Sequence, residues 1–390
     1  MNDIRTTTVD AAGPSVDALD PDRIEAFAGR VLGVIADAST ALVLSIGHRT
    51  RLFDVLAELP PSTSAEVARA AGLHERYVRE WLAAMLVGGV VVHDPGTDTW
   101  SLPAEHAAVL TRAAGPDNLA KLAQFIGLLA GVEHQVVRCF PEGGGVPYSA
   151  YTEFHALMGE ESKDQAEGIL LDQLVPLVDG LADRLARGVA VADIGCGSGH
   201  HLSVLAGAYP ASSFVGYDFS DEAIAQARVT AEMRGLANVR FESRDVVDLS
   251  GTGPFDLVTA FDAIHDQAHP AMVLRGIADV LAPDGVFLMG DIKASSRPDE
   301  NVDLPAAPFL YAISLMHCMT VSLAQGGTGL GAVWGEQTAT RMLREAGLGS
   351  VEVRVVEGDF VNSYYIARLG RRVDQPLPRG ALSGDTHERN

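Results

Sequence analysis

The sequence predicts an α/β protein: a seven-stranded, doubly wound, Rossmann-like sheet preceded by an α-helical, winged-helix N-terminal domain and a helical cap. Three observations carry this. A helix, helix, helix, hairpin pattern fills the first part of the chain. Helix-period apolar spacing then runs from Asp117 to Leu185, and strand-like and helical segments alternate from Val189 to Leu369. At 390 residues the chain has the length of two or three structural units.

The elements follow in order. Ile24 to Leu59 has apolar residues at helical spacing with a break expected around Ser45 to His48, which gives two helices. Ser62 or Ser64 can cap the next helix, Gly72 ends it, and Leu73 to Val87 forms another. Val90 to His93 and Thr99 to Leu102 flank the turn Asp94-Pro-Gly-Thr-Asp98, completing a winged helix. Leu119, Leu122, Phe125, Ile126, Leu129, Val132, Val136 and Phe140 recur every three or four residues, the spacing of one amphipathic helix over Asp117 to Phe140. After the loop Pro141 to Tyr151, Glu153 to Leu185 is again helical. Strands are expected at Val189–Ile194, Ser213–Asp218, Val239–Ser243, Phe255–Phe261, Val286–Gly290, Val351–Val356 and Val361–Leu369. The resulting division is a disordered lead (1–22), a winged-helix dimerisation domain (23–110), a helical linker and cap (111–187), the sheet domain (188–370) and a disordered tail (371–390).

Composition narrows the function. The net charge of −22 repels a phosphate backbone, so nucleic acid is a disfavoured partner. Residues 48 to 102 carry five arginines against seven acids. In the would-be recognition helix Arg76 and Arg79 are offset by Glu75 and Glu80. Cys139, Cys196 and Cys318 are odd in number and far apart, so neither a disulfide framework nor a thiolate zinc site is supported. The polar, acidic N-terminus lacks the basic and apolar regions of a signal peptide, and a cytoplasmic location is expected. The apolar stretch Val31 to Gly47 is interrupted by Asp37 and bounded by Arg30 and Arg49. It reads as a buried helix, at a subunit interface, rather than a membrane span.

The strand Val189–Ile194 runs into Asp193-Ile-Gly195-Cys-Gly197-Ser-Gly199-His200, and a helix follows. Such a turn lets a ligand lie against bare backbone at the positive end of a helix. His200 stands where a dinucleotide fingerprint needs a small residue, and Gly-Lys-Ser/Thr is absent, so NAD, FAD and a Walker loop are disfavoured. The spacing D-x-G-x-G-x-G resembles motif I of class I S-adenosylmethionine-dependent methyltransferases. The rest of that family's fingerprint follows in register: Asp218 closing the second strand, Asp245-Val246 after the third, and Leu281-Ala-Pro-Asp-Gly285 before the fifth.

The resemblance implies S-adenosyl-L-methionine as cofactor. Asp193, Gly195, Gly197 and Gly199 would form its cradle, Asp218 would take the ribose hydroxyls, and Phe219, Asp245, Val246 and Phe261 would surround the adenosine. Over about residues 25 to 370 the chain is similar to a bacterial subfamily that joins a winged helix, a helical cap and a class I methyltransferase domain, some of whose members are labelled transcriptional regulators. Gly143-Gly-Gly-Val-Pro-Tyr148-Ser-Ala-Tyr151-x-x-Phe154-His155 and Gly326 to Gly335 carry that closer likeness. It implies a homodimer and a chamber for a small-molecule methyl acceptor between the cap and the carboxyl ends of the strands.

The remaining constellations keep more than one reading. His265, four residues past the fourth strand and followed by Asp266, is either a general base for an acceptor hydroxyl or amine or a hydrogen-bonded structural histidine. His265-Asp-Gln-Ala-His269 superficially resembles a zinc helix, but Pro270 pushes His269 out of the α region, and no metal is expected. Tyr148, Tyr151, His155 and His317 line the acceptor chamber or pack as aromatic core, as do Phe309, Tyr311 and Met316. Gly326 to Gly335 reads as a flexible loop able to close over the acceptor. Two functions are thus expected: methyl transfer to an O or N nucleophile by in-line attack, or, as the alternative, a cofactor-sensing DNA-binding regulator without methyl transfer.

Overall fold

The computed structural model describes residues 19–359 and 361–370, with the side chains of residues 155 and 161 left outside the description. The expected tail and most of the expected lead lie outside the described residues; residues 21 and 22 of the lead already belong to the first helix. The chain divides into two compact units, residues 1–130 and 131–390. Residues 111–130, expected with the linker and cap, therefore fall with the first unit, where Ala120 sits in the core.

The first unit runs α1 (Pro21–Arg49), α2 (Leu52–Glu58), α3 (Ser64–Ala71), α4 (Glu75–Val87), β1 (Val92–Asp94), β2 (Thr99–Ser101), α5 (Ala104–Leu110) and α6 (Gln124–Ala130). The first break falls at Thr50 and Arg51, the latter in the left-handed region (φ 60°), rather than at Ser45 to His48. Asp20 caps α1 by accepting from the Asp22 and Arg23 N–H groups. The cap of α3 is Thr63, not Ser62 or Ser64: its hydroxyl accepts from the Glu66 N–H while Glu66 reaches back to the Thr63 N–H. Gly72 ends that helix in the left-handed region. Leu52, Phe53, Val67, Trp81, Leu82 and Met85 form the core under an antiparallel β1–β2 wing. Helix α1 departs from the expected buried helix. Only Ser45, Gly47 and His48 near its end are buried, and the rest is largely exposed within this chain.

The expected single helix over Asp117 to Phe140 is broken at Gly131 and Val132, where glycine weakens the helix, so α7 (Glu133–Glu142) opens the second unit. It continues through α8 (Phe154–Gly168), a π turn at Leu170–Leu174 and α9 (Leu181–Arg187). Pro176 and Gly180, the latter at φ 70°, interrupt the expected long helical run. The strands are β3 (Ala190–Ile194), β4 (Ser213–Asp218), β5 (Val239–Ser243), β6 (Phe255–Phe261), β7 (Leu281–Ile292), β8 (Ser350–Arg354) and β9 (Asn362–Arg368). Between them lie α10 (His200–Ala208), α11 (Asp221–Met233), α12 (Pro270–Val280), α13 (Ala307–Ile313), α14 (Met319–Ala324) and α15 (Gly335–Glu345), with a π turn at Ser314–Cys318 joining α13 to α14.

The seven expected strands form one sheet in the order β5-β4-β3-β6-β7-β9-β8, with β9 antiparallel to both neighbours and the others parallel. The chain moves outward from β3 in one direction and then returns through β6 to build the other half. The carboxyl ends of β3 and β6 thus flank the switch point, where an open α/β sheet receives its ligand. Two helical stretches, α1 and residues 307–324, are long and apolar enough to cross a membrane by length and composition.

Candidate active site

At the switch point β3 ends on Asp193 and Ile194 and turns through Gly195, Gly197 and Gly199, all at positive φ. A Cβ at Gly195 would stand 2.5 Å from the Ala263 methyl, and one at Gly199 would stand 2.5 Å from the Phe241 ring. Both need hydrogen for space as well as for backbone angle. Nothing lies within 4 Å of the side-chain position of Gly197, leaving that face of the turn open.

Asp218 is buried at the end of β4. Its Oδ2 accepts from the Gly197 N–H and its Oδ1 from the Ser220 N–H, each at 2.9 Å. The carboxylate is thereby fixed against the glycine turn. Asp193 beneath it accepts from Thr259 Oγ1 at 2.6 Å. Burial pushes the Asp193 carboxyl up to about 7, with the Asp218 charge adding to that and the Thr259 bond opposing it.

Val246 is buried and Asp245 exposed, its Oδ1 held by the Val247 N–H. Phe261 at the end of β6 stacks on His201, centroids 4.4 Å apart. Burial holds the His201 imidazole down to about 3, so it is neutral. It pairs with Gln165 of α8, whose amide donates to the Tyr364 hydroxyl, which donates in turn to Asp359. This chain, absent from the sequence reading, ties the cap helix to the glycine turn and to β9.

The cap brings aromatic rings to the same edge. Tyr148 meets Phe219, Phe154 and His317 edge-on at 5.5, 5.4 and 5.5 Å. Tyr151 meets His317 at 4.7 Å and donates its hydroxyl to the Met316 carbonyl. Phe154 stacks on His317 at 3.7 Å. Burial raises both tyrosines, and the charge of Asp266 acts on each in the same direction, so they remain neutral donors. Three of the four expected acceptor residues, Tyr148, Tyr151 and His317, thus share one cluster. His155 follows Phe154 on α8, and its side chain is among those not described.

His265 is buried at 4% exposure between two carboxylates. Its Nδ1 lies 2.8 Å from Asp291 Oδ1 and its Nε2 3.4 Å from Asp266 Oδ1. A carboxylate only accepts, so Nδ1 carries a proton and Nε2 is the ring atom left for chemistry. Burial alone would depress this imidazole, but Asp291 and Asp266 outweigh it and hold its pKa well above the usual range. Asp291 is fully buried and also accepts from Trp334 Nε1 at 3.0 Å and from the Ile292 N–H at 2.8 Å.

Sequence reasoning passed over Asp291 and Trp334. The available signal was an acid closing the fifth strand on the ligand edge. The segment expected as a flexible loop is packed: Trp334 is buried, Thr328 N–H donates to the Ala268 carbonyl, and Gly327 is pressed against Ala268. His269 is non-helical (φ −125°, ψ 64°) at the N-cap position of α12, so it shares no helix with His265.

A sheet with this strand order, a glycine turn at its switch point and a carboxylate closing the second strand define the class as a methyltransferase-type α/β domain. Comparison with known proteins agrees: residues 38–112 match the Rv2258c-like winged HTH domain and residues 185–347 match a methyltransferase domain. The chain is 31% identical over 123 residues to a ubiquinone biosynthesis O-methyltransferase of Neisseria meningitidis serogroup C, an alignment covering 31% of this chain and 50% of that protein. It is 37% identical over 122 residues to a trans-aconitate 2-methyltransferase of Methylobacterium nodulans, covering 31% and 43%. The chain spans about half the length of the curated relatives it matches.

Among solved structures, the mitomycin 7-O-methyltransferase MmcR superposes with a TM-score of 0.66 at 21% identity, covering 90% of this chain and 100% of that one. Human N-acetylserotonin methyltransferase in complex with SAM gives 0.62 at 16%, covering 91% and 100%. At these identities the likeness shows the fold. The chain therefore combines a winged helix-turn-helix domain with a methyltransferase domain.

Proposed function

We propose that this chain is an S-adenosylmethionine-dependent methyltransferase acting on a hydroxyl or amine of a small molecule. The observation that carries the proposal is the juxtaposition, on one sheet edge, of the Asp218-braced glycine turn and His265 with its Nδ1 locked by Asp291. The cradle fits the cofactor: Gly197 leaves open space, and the Asp218 carboxylate, the acceptor type a ribose diol needs, is braced beside it. When bound, the cofactor supplies a methyl group already activated on a sulfonium.

The chain's own residues then have two tasks. Asp218, the glycine turn and Val246 hold and orient the adenosine, which supports transfer through proximity rather than through activation. His265 Nε2 takes the acceptor proton in the neutral imidazole, the form that its two carboxylate neighbours disfavour, so turnover should rise with pH. Asp291 fixes the tautomer, and both flanking carboxylates stabilise the imidazolium that results. Tyr148, partly exposed and backed by the buried Tyr151, Phe154 and His317, offers an aromatic edge for a flat acceptor. The first experiment is calorimetry with S-adenosylhomocysteine on the wild type and Asp218→Ala. Binding that the substitution weakens supports the reading, and absence of binding by the wild type overturns it.

A homodimer through the first unit is part of the same reading, supported by the exposed apolar face of α1. The alternative, DNA recognition by α4, is disfavoured by a specific observation. Arg76 and Arg79 are paired with Glu80 and Glu75 at 2.5 and 3.4 Å, leaving no unmatched cation on that helix for a phosphate. Anisotropy titration with genomic fragments tests this: sequence-specific nanomolar binding at physiological salt would restore the regulator reading. The cytoplasmic reading rests on α1 being a partner surface rather than an anchor.

A further inference from the structure

His265 and Asp266 are joined by a buried thiol, Cys318, that methyl transfer leaves unexplained. Cys318 is buried at the end of the π turn that joins α13 to α14. Its Sγ, His265 Nε2 and a carboxylate oxygen of Asp266 all lie within 4.8 Å of one another. π turns interrupt helices mostly at functional positions, and this one buries two consecutive side chains, His317 and Cys318.

Three further facts turn proximity into a ligand set. Asp266 Oδ1 is buried without a well-formed hydrogen bond, with His265 Nε2 3.4 Å away and the Cys318 thiol interacting with the same carboxylate. His317 Nδ1 stands 3.9 Å from the other oxygen of the same carboxylate. Asp291 holds His265 Nδ1 at 2.8 Å and leaves Nε2 as the coordinating atom, the carboxylate–histidine arrangement that orients imidazole ligands in metal sites. One imidazole, one carboxylate and one thiol form a mixed donor set suited to a borderline-soft divalent ion with a fourth position open.

We propose that His265 Nε2, Asp266 and Cys318 Sγ form a binding site for a divalent transition ion of the zinc class, and that its occupancy switches the catalytic base off. Coordination takes the Nε2 lone pair that would otherwise accept the acceptor proton. It releases the Cys318 thiol proton, and any proton on Nε2, to solvent. The ligands differ from the His265/His269 pair that the sequence brought forward and set aside. The binding site stands on its own geometry, whereas its inhibitory effect rests on the proposed role of His265.

The test uses the full chain, reduced and stripped of metal. Zinc is titrated in competition with a chromophoric chelator, and cobalt is titrated while the near-ultraviolet thiolate-to-cobalt band is recorded. The expected result is one equivalent of zinc bound at micromolar concentration or below, with a cobalt–thiolate band. Cys318→Ser should abolish the band and weaken zinc at least about tenfold, while Cys139→Ser leaves both intact. Asp266→Asn, on a half-buried side chain, should weaken zinc comparably and serves as the second variant should Cys318→Ser unfold. Absence of a band in the wild type, or zinc affinity unmoved by both Cys318→Ser and Asp266→Asn, overturns the site. Calorimetry with S-adenosylhomocysteine on the same sample separates the two readings. Cofactor product bound without zinc refutes only the metal site; zinc bound without cofactor product refutes only the methyltransferase reading.

Discussion

Asp218, Asp193 and Asp291 are three buried acids at one sheet edge with three different environments. Asp218 receives two backbone N–H groups, which favour its charge and aim it at a diol. Replacing it with alanine removes two charged hydrogen bonds to the ligand, about 2 to 3 kcal/mol, so S-adenosylhomocysteine affinity measured by calorimetry should fall roughly 30- to 150-fold. Asp193 has a folded pKa raised from 3.8 to about 7, so the folded state binds this proton more tightly than the unfolded chain does. Its contribution to stability is therefore complete below about pH 4 and is lost as pH rises to about 7, an effect of order 4 kcal/mol. Urea midpoints across that window should show a falling component that Asp193→Asn flattens; an unchanged slope would reassign the proton. Asp291 acts through His265. Asp291→Asn frees the imidazole to adopt the wrong tautomer, and kcat should drop about a hundredfold or more with cofactor affinity nearly unchanged.

Element placement explains which of these residues the sequence could reveal. Asp193, the glycines and Asp218 sit at fixed offsets within one βαβ unit, where a single local geometry dictates residue type, and they were legible as a group. His265 was legible by its distance from a strand end. Asp291 was not, because an acid inside the apolar run of β7 has no local spacing to betray its partner; the contact is set by β6 and β7 lying side by side. Trp334, Cys318 and the His201–Gln165–Tyr364 chain were hidden for the same reason, being long-range contacts made by an insertion, a π turn and a cap helix. Helix breaks were missed where a single glycine or proline overrode a convincing period, as at Gly131 and Pro176. The loop before α15 does a measurable job if Trp334 holds Asp291 in place. Trp334→Phe keeps the ring but removes the donor, so turnover should fall about tenfold or more, with roughly 1 to 3 kcal/mol lost from stability in denaturant unfolding. A loss of stability without any loss of turnover would make Trp334 a core residue only.

At the scale of the whole molecule, the net charge of −22 and an exposed apolar helix pull in opposite directions. On α1, Ile24, Phe27, Val31 and Ile35 follow one another at helical spacing and are 53, 70, 42 and 57% exposed, with Leu42 and Ile46 continuing the stripe. A contiguous apolar stripe of this length on an otherwise acidic protein marks a surface that another body covers. On the proposed homodimer reading, that body is a second copy. The same helix is continuous with the winged-helix core at Ser45, Gly47 and His48, so a partner seated along the stripe would be held rigidly to the folded unit. Because Phe27 and Ile35 lie outside the unit's core cluster, charging them leaves that core intact. Each such side chain is worth about 2 kcal/mol when fully covered and is lost from both protomers, so Phe27→Glu with Ile35→Glu should raise the dimer dissociation constant by at least about a thousandfold. Light scattering after size exclusion should report a dimer for the wild type and a monomer for the double variant, with unchanged thermal unfolding of the monomeric unit. A wild type that is monomeric without detergent and floats with lipid vesicles would instead assign the stripe to a membrane surface.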